Sequence, residues 1–279
     1  MTNGIEVITS RQNRTVVEVA KLADRREREA VGRFRFDGVK LLLEAIANGV
    51  EMPLILLRQS NAGRVAERIQ DSAGRALSDC CGRLLTLADG VFDKISEEKS
   101  PEGVICVAKY IDKSEKIVTI YNDGKIPGGE ERLVLLESVR DPSNIGAIIR
   151  SAAALGVDRL ILSDDCADVY NPKAVRASMG TLFGQRIDRT GDLPAVIRQL
   201  RERGRRFYAA ALDPGATQLG NFPVAREDCV VIGNEGHGLS REVLDACDRR
   251  VFIPMSGRAE SFNAAVAASI LMWEFSKCQ

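Results

Sequence analysis

The 279 residues carry 39 Lys plus Arg against 39 Asp plus Glu and one His, so the formal net charge at pH 7 is +0. With 45% hydrophobic and 28% charged residues, the composition excludes a fibrous or disordered chain, and the length suggests two domains at roughly 100–200 residues each. The single His237 removes multi-histidine metal sites, and the zero balance excludes a uniformly basic coat for nucleic acid.

Residues 11–35 are polar and Arg-rich, with eight basic residues against four acidic ones. Beyond Gly38, the positions Leu41, Leu42, Ala45 and Ile46 follow a helical pattern that stops at Asn48-Gly49, ahead of a strand from Pro53 to Leu57. A helix around Arg64 to Ile69, a strand near Arg83 to Leu87 and another from Gly103 to Ala108 continue the alternation. Residues 1–110 therefore read as a small α/β domain. The stretch 111–131, with DKSEK, YNDGK and PGGEE, carries turn and charge signals without core periodicity and reads as a linker.

From 132 to 279 the alternation sharpens. Strand Leu133–Leu136, helix Asn144–Leu155, strand Arg159–Leu162, helix Lys173–Met179, helix Pro194–Arg203 and strand Phe207–Leu212 are followed by strand Cys229–Ile232, helix Ser240–Cys247, strand Val251–Ile253 and a terminal helix Phe262–Phe275. Strands interleaved with helices predict an α/β domain with a largely parallel sheet covered on both faces. Neither G-x-G-x-x-G nor G-x-x-x-x-G-K-[ST] is present, which disfavours dinucleotide-binding and P-loop readings.

The cysteines Cys80, Cys81, Cys106, Cys166, Cys229, Cys247 and Cys278 are scattered and lack a C-x-x-C pair, so neither a disulfide framework nor a metal site is expected. The opening MTNGIEVITSRQNR has no apolar signal core, and no run reaches the roughly 18 apolar residues that span a bilayer. The expectation is a cytoplasmic protein with no membrane contact.

Three segments carry candidate chemistry. In Asp141-Pro142-Ser143-Asn144-Ile145-Gly146-Ala147-Ile148-Ile149-Arg150, a strand gives way to a helix, and helix N-termini at strand ends present free N–H groups to anions. Arg150 is there either an anion-directed group or a solvated residue on an amphipathic helix. In Val230-Val231-Ile232-Gly233-Asn234-Glu235-Gly236-His237-Gly238-Leu239-Ser240, an apolar strand runs into three glycines around Glu235, which permits close approach of a ligand; a plain strand-to-helix turn has the same composition. His237 fits a loop residue better than a catalyst. The third is Ile253-Pro254-Met255-Ser256-Gly257-Arg258-Ala259-Glu260-Ser261-Phe262-Asn263, ahead of an Ala-rich helix. Ser261 is a candidate helix cap, and Asn263, inside the first turn, a candidate ligand or loop partner.

Taken together and in this order, the patterns Asn144-x-Gly146-x-x-x-Arg150, Gly233-Asn234-Glu235-Gly236-x-Gly238-Leu239 and Ile253-Pro254-Met255-x-Gly257-x-x-x-Ser261-Phe262-Asn263 resemble the SpoU (TrmH) family of RNA 2′-O-ribose methyltransferases. The resemblance covers about 131–279. Residues 31–108, notably Phe36-Asp37-Gly38-Val39-Lys40, are similar over a shorter stretch to the family's N-terminal substrate-binding domain. Phe262 stands where Leu is frequent, and Ala264-Ala265 where Val-Ser is frequent.

The resemblance implies a parallel sheet whose C-terminal part forms a deep trefoil knot, an exception to the unknotted-chain rule, together with homodimerisation through this domain. It also implies S-adenosylmethionine as methyl donor, with Leu212, Gly233, Ile253 and Phe262 lining the adenosyl pocket. Arg150 matches the family's catalytic arginine, while Asn144, Glu235, Ser261 and Asn263 would position it, the ribose and the loops. The implied substrate is RNA, with 23S ribosomal RNA favoured over tRNA on the strength of the N-terminal domain. The alternatives are a tRNA 2′-O-methyltransferase or a non-catalytic RNA-binding or ribosome-assembly factor on the same fold.

Overall fold

The computed structural model describes residues 7–98, 100–111, 131–258 and 260–277; most of the expected linker, 112–130, lies outside the described residues, as does Cys278. The chain divides into two compact units: Met1–Ile111 with Tyr170–Gly184, and Asp112–Val169 with Gln185–Gln279.

In chain order the first unit contains β1 (Val7–Ile8), α1 (Arg14–Lys21), α2 (Arg25–Val31), β2 (Arg33–Asp37), α3 (Val39–Ala47), β3 (Leu54–Arg58), α4 (Ala62–Ala73), β4 (Leu84–Leu87), α5 (Asp89–Ile95) and β5 (Val104–Lys109). Its sheet runs β1-β4-β3-β5-β2, with β5 antiparallel to both β2 and β3 and the other pairs parallel. The helices α1 and α2 account for much of the Arg-rich stretch. Arg14 pairs with Glu18 and Arg25 with Glu29 at i,i+4 on exposed faces, whereas Arg28 is buried and donates to the carbonyls of Leu22 and Ala23. Along β2 the period of two puts Phe34 and Phe36 on one face and Arg35 and Asp37 on the other. Arg35 is 2% exposed and pairs with Asp37 at 3.0 Å.

The second unit begins with β6 (Leu133–Leu136), α6 (Pro142–Ala154) and β7 (Arg159–Ser163). At Tyr170 the chain passes into the first unit, where α7 (Pro172–Ala177) lies, and it returns at Gln185. The single boundary expected at 111–131 does not describe this excursion. The cause is aromatic packing: Tyr170 stacks on Tyr110 with centroids 4.2 Å apart, and Phe183 sits 5.1 Å from Phe36. Gly180, at φ 94°, leaves no room for a side chain, since a Cβ there would come within 2.5 Å of Glu44 Cγ.

The remainder comprises β8 (Arg186–Thr190), α8 (Leu193–Glu202), β9 (Phe207–Ala210), β10 (Thr217–Gln218), β11 (Cys229–Ile232), α9 (Arg241–Ala246), β12 (Arg249–Phe252) and α10 (Ala264–Ser276). All pairs in the seven-stranded sheet β10-β12-β9-β11-β6-β7-β8 are parallel. The chain steps outward from β6 to β8, reverses, and later places β11 between β6 and β9. The strands β6 and β11 are buried throughout, as a sheet covered on both faces requires. Helix α10 is apolar all round: Ala264, Ala268, Leu271 and Met272 are buried, while Val266 and Trp273 are 46% and 57% exposed. It packs against α6 and β11, and the hydroxyls of Ser151 and Ser269 meet between the two helices at 2.8 Å. Among the described residues no helix is long and apolar enough to cross a membrane.

Candidate active site

The parallel register brings the loops after β9, β11 and β12 together at the C-terminal ends of the strands, where open α/β sheets bind ligands. There they enclose a cleft of about 510 Å³, within the ~300–1,000 Å³ of small-molecule sites. Leu212, Gly233, Ile253 and Phe262 all line it, as do Glu235 and Ser261. Leu212 and Phe262 are 63% and 42% exposed, so two apolar side chains face solvent at the cleft.

Gly233 is where β11 turns back on itself. A Cβ there would stand 2.4 Å from the Gly238 carbonyl carbon and 2.6 Å from Leu239 N, both backbone atoms, so no side chain fits without moving the loop. The turn closes through paired hydrogen bonds between Asn234 and Gly238, each 3.0 Å. The Asn234 side-chain oxygen accepts from the N–H groups of Gly236 and His237. His237 is an exposed member of this turn at the cleft.

Two helix starts converge on the same turn. Asp141 caps α6 by accepting from Ser143 N and Asn144 N at 2.7 and 2.9 Å, with Pro142 in the first turn. Asn144 then donates to Glu235 Oε1 at 2.8 Å and accepts from Asn263 Nδ2 at 3.0 Å. Asn263 is itself the cap of α10, accepting from Ala265 N at 2.9 Å and from Val266 N at 3.4 Å. The cap is thus Asn263 and not Ser261: the chain stays non-helical through Asn263 (φ −54°, ψ 142°), and Ser261, two residues earlier, is an exposed cleft residue.

Asn144, Glu235 and Asn263 are therefore joined, and five further sequence-derived residues surround the adjoining cleft. Arg150 is not among them. Six residues beyond Asn144, it lies about 9 Å further along the helix and about 120° around it, exposed and without a hydrogen bond or ion pair among the described residues. Residues 176–206 also concentrate arginine, eight against three acidic residues, and these are largely engaged in internal contacts. Arg176 pairs with Glu97, Arg186 with Glu131, Arg201 with Asp248 and Arg206 with Asp228. Arg189 and Arg205 donate to main-chain carbonyls.

Residues not singled out from the sequence complete the frame. Glu137 follows β6 and accepts from both the N–H and the hydroxyl of Ser240. Asp213 lines the cleft and pairs with Arg250 at 2.5 Å. The N–H of Gly215, together with Arg250, holds the Asp213 carboxyl below its ordinary pKa. Acid residues after strand ends were a usable signal for both.

The residues fit S-adenosylmethionine: a cleft with apolar walls accepts an adenine, the glycine turn exposes main chain, and Asp213 and Glu235 supply negative charge for a cationic ligand. The comparisons agree. Residues 131–273 match the SpoU rRNA Methylase family, and residues 13–106 match the MRM3-like substrate binding domain. A relative from Bacillus subtilis (strain 168), 23S rRNA (guanosine(2553)-2′-O)-methyltransferase RlmP, is 28% identical over 95% of this chain and 97% of its own. The 23S rRNA (uridine(2479)-2′-O)-methyltransferase of Streptomyces viridochromogenes is 32% identical over 96% of this chain and 90% of its own. The AdoMet-bound rRNA methyltransferase from Sinorhizobium meliloti superposes with a TM-score of 0.79 at 26% identity, covering 97% of each chain. From the glycine turn and its asparagine pair to full-length relatives, everything converges: the chain belongs to the SpoU rRNA methylase family.

Proposed function

We propose that the protein transfers a methyl group from S-adenosylmethionine to a ribose 2′-hydroxyl of 23S ribosomal RNA. The observation that carries this reading is the Asn144–Glu235–Asn263 network beside a glycine-turned, apolar-walled cleft. The named activities of the two bacterial relatives support the RNA assignment. When bound, S-adenosylmethionine supplies a methyl group already activated by a sulfonium charge. Leu212, Ile253 and Phe262 hold the adenosyl part, and the main chain at Gly233 allows its close approach. Asn144 and Asn263 hold Glu235 in place at the cleft.

Arg150 acts on the RNA. A guanidinium stays protonated near neutral pH, so its work is to orient a phosphate and stabilise negative charge developing on the 2′-oxygen, not to remove the proton. Because Arg150 faces away from its own chain's Asn144, we assign it to the cleft of a second copy in a homodimer. The stripe of exposed Val266 and Trp273 with half-buried Ile270 between them on α10 supports dimerisation. The trefoil knot belongs to the same proposal; the insertion of β11 between β6 and β9 supports it. The domain division follows suit, with the first unit as substrate-binding domain and the second as methyltransferase domain. We place the protein in the cytoplasm, where ribosomal RNA is modified.

The test is ribose-methylation mapping of total RNA from cells with and without the protein. One 23S position methylated only in the cells that contain the protein is expected. A change confined to tRNA would redirect the substrate, and no change, with no cofactor binding by calorimetry, would reject the enzyme.

A further inference from the structure

Ser138, just beyond the C-terminal end of β6, has φ 54°, and Met179 is the other non-glycine residue with positive φ among the described residues. L side chains rarely adopt this left-handed region because Cβ crowds the following carbonyl. They persist there when the surroundings over-determine them, and such positions cluster at functional sites.

The surroundings of Ser138 do this with a closed ring of hydrogen bonds. Its N–H donates to Ser163 Oγ at 2.9 Å and its hydroxyl to Asp165 Oδ2 at 2.5 Å, while Ser163 Oγ donates to Asp165 Oδ1 at 2.6 Å. Arg140 adds a looser contact to Asp165 at 3.4 Å. Burial by itself would raise the Asp165 carboxyl, but the hydrogen bonds from Ser138, Ser163 and Arg140 outweigh it and hold the pKa below its ordinary value. The ring thus has an anionic acceptor at neutral pH and ties the end of β6 to the end of β7.

Its effect is to aim the Ser138 carbonyl. That oxygen accepts from Asn234 Nδ2 at 2.8 Å, and Asn234 is the hub of the 234–238 turn, taking the N–H groups of Gly236 and His237 on its side-chain oxygen. An ordinary extended residue at 138 would turn the carbonyl elsewhere and leave the Asn234 amide without that acceptor. We infer that Ser138, held left-handed by Ser163 and Asp165, is a positioning residue for methyl transfer: through Asn234 it sets the turn that presents Glu235 to Asn144. The inference rests on the methyltransferase reading above.

The experiment compares Ser138→Gly, Ser138→Val and Asp165→Asn in the full chain. Glycine adopts positive φ freely, whereas a β-branched residue resists it. Steady-state methylation of ribosomal RNA is read as kcat and KM, and amide hydrogen exchange is read at Gly236, His237 and Gly238. Ser138→Gly should keep kcat within about twofold of wild type, and Ser138→Val should lose about tenfold or more with RNA KM moving by less than about twofold. Asp165→Asn should fall between them, and it covers the case in which the valine variant fails to fold. Exchange at the three amides should accelerate in the same order, with Val230 and Val231 in β11 still protected. Equal kcat losses in the glycine and valine variants would overturn the inference, as would wild-type exchange in Ser138→Val. If the wild type methylates no RNA, the proposed function fails and the role in methyl transfer falls with it, while the exchange data decide separately whether Ser138 sets the 234–238 turn.

Discussion

Asn263 donates its side-chain N–H to the side-chain oxygen of Asn144 at 3.0 Å, while its own oxygen receives the first free N–H groups of α10. One amide therefore begins a helix and steadies the residue that steadies Glu235. These two duties are separable. Asn263→Ala should cost about 1 kcal/mol of stability, the usual loss for a removed cap, and lower methyl transfer as well. Asn263→Ser restores a capping oxygen without a group long enough to reach Asn144, so urea denaturation should show recovered stability while activity stays low. Recovery of both together would mean that the cap alone matters.

Gly233→Ala should abolish tight S-adenosylmethionine binding. The added carbon would meet the Gly238 and Leu239 backbone, which can yield only if the turn moves. Calorimetry on the variant, alongside circular dichroism to confirm folding, checks this; wild-type affinity would show that the turn is looser than its geometry implies.

For Arg150 the orientation leads to a complementation result. Arg150→Ala should lose about a hundredfold or more in rate with cofactor affinity unchanged within about twofold. Leu212→Arg, which crowds the cleft from an exposed position, should lose cofactor binding. Mixed dimers of the two inactive chains should regain activity, because one of their two sites keeps an intact cleft and an intact arginine. If mixtures stay inactive while both parents remain dimeric, Arg150 serves its own chain.

The Asp165 carboxyl sets a pH dependence of defined sign. Its pKa in the folded chain lies below the ordinary value, so its ionised form stabilises the fold above the unfolded carboxyl value of about 4. That contribution is lost as pH falls through the folded value. The stability difference between wild type and Asp165→Asn should therefore be largest near neutrality and shrink below about pH 4. A difference constant from neutral to acid pH would contradict the hydrogen-bonded carboxylate.

Buried strands were the legible part of this fold. The runs Leu133–Leu136 and Cys229–Ile232 are expected and observed with identical bounds, because a strand covered on both faces must be apolar without interruption. The strand Arg186–Thr190 was not legible. It lies at the sheet edge, and three of its five residues are charged. The two-residue strands β1 and β10 are too short for any period. Arginine density was ambiguous for another reason: whether Arg201 or Arg206 meets RNA or an aspartate depends on partners 47 and 22 residues away. At the site, the motifs gave the residues lining the cleft, but Ser261 and Asn263 are both capping residue types, and only the backbone angles chose between them. Ser138 was invisible because serine has no preference for left-handed backbone; Ser163 at the end of β7 and Asp165 just beyond it impose it.

The excursion of 170–184 into the first unit bears on how such chains can be recombined. The polypeptide passes between the units three times, after Ile111, after Val169 and after Gly184. Exchanging the substrate-binding unit with that of a relative at a single splice near 131 would leave Tyr170 and Phe183 facing foreign partners in place of Tyr110 and Phe36. A functional chimera has to carry the 170–184 segment along with residues 1–111, so the two units of this chain travel as interleaved sequence and not as beads on a string.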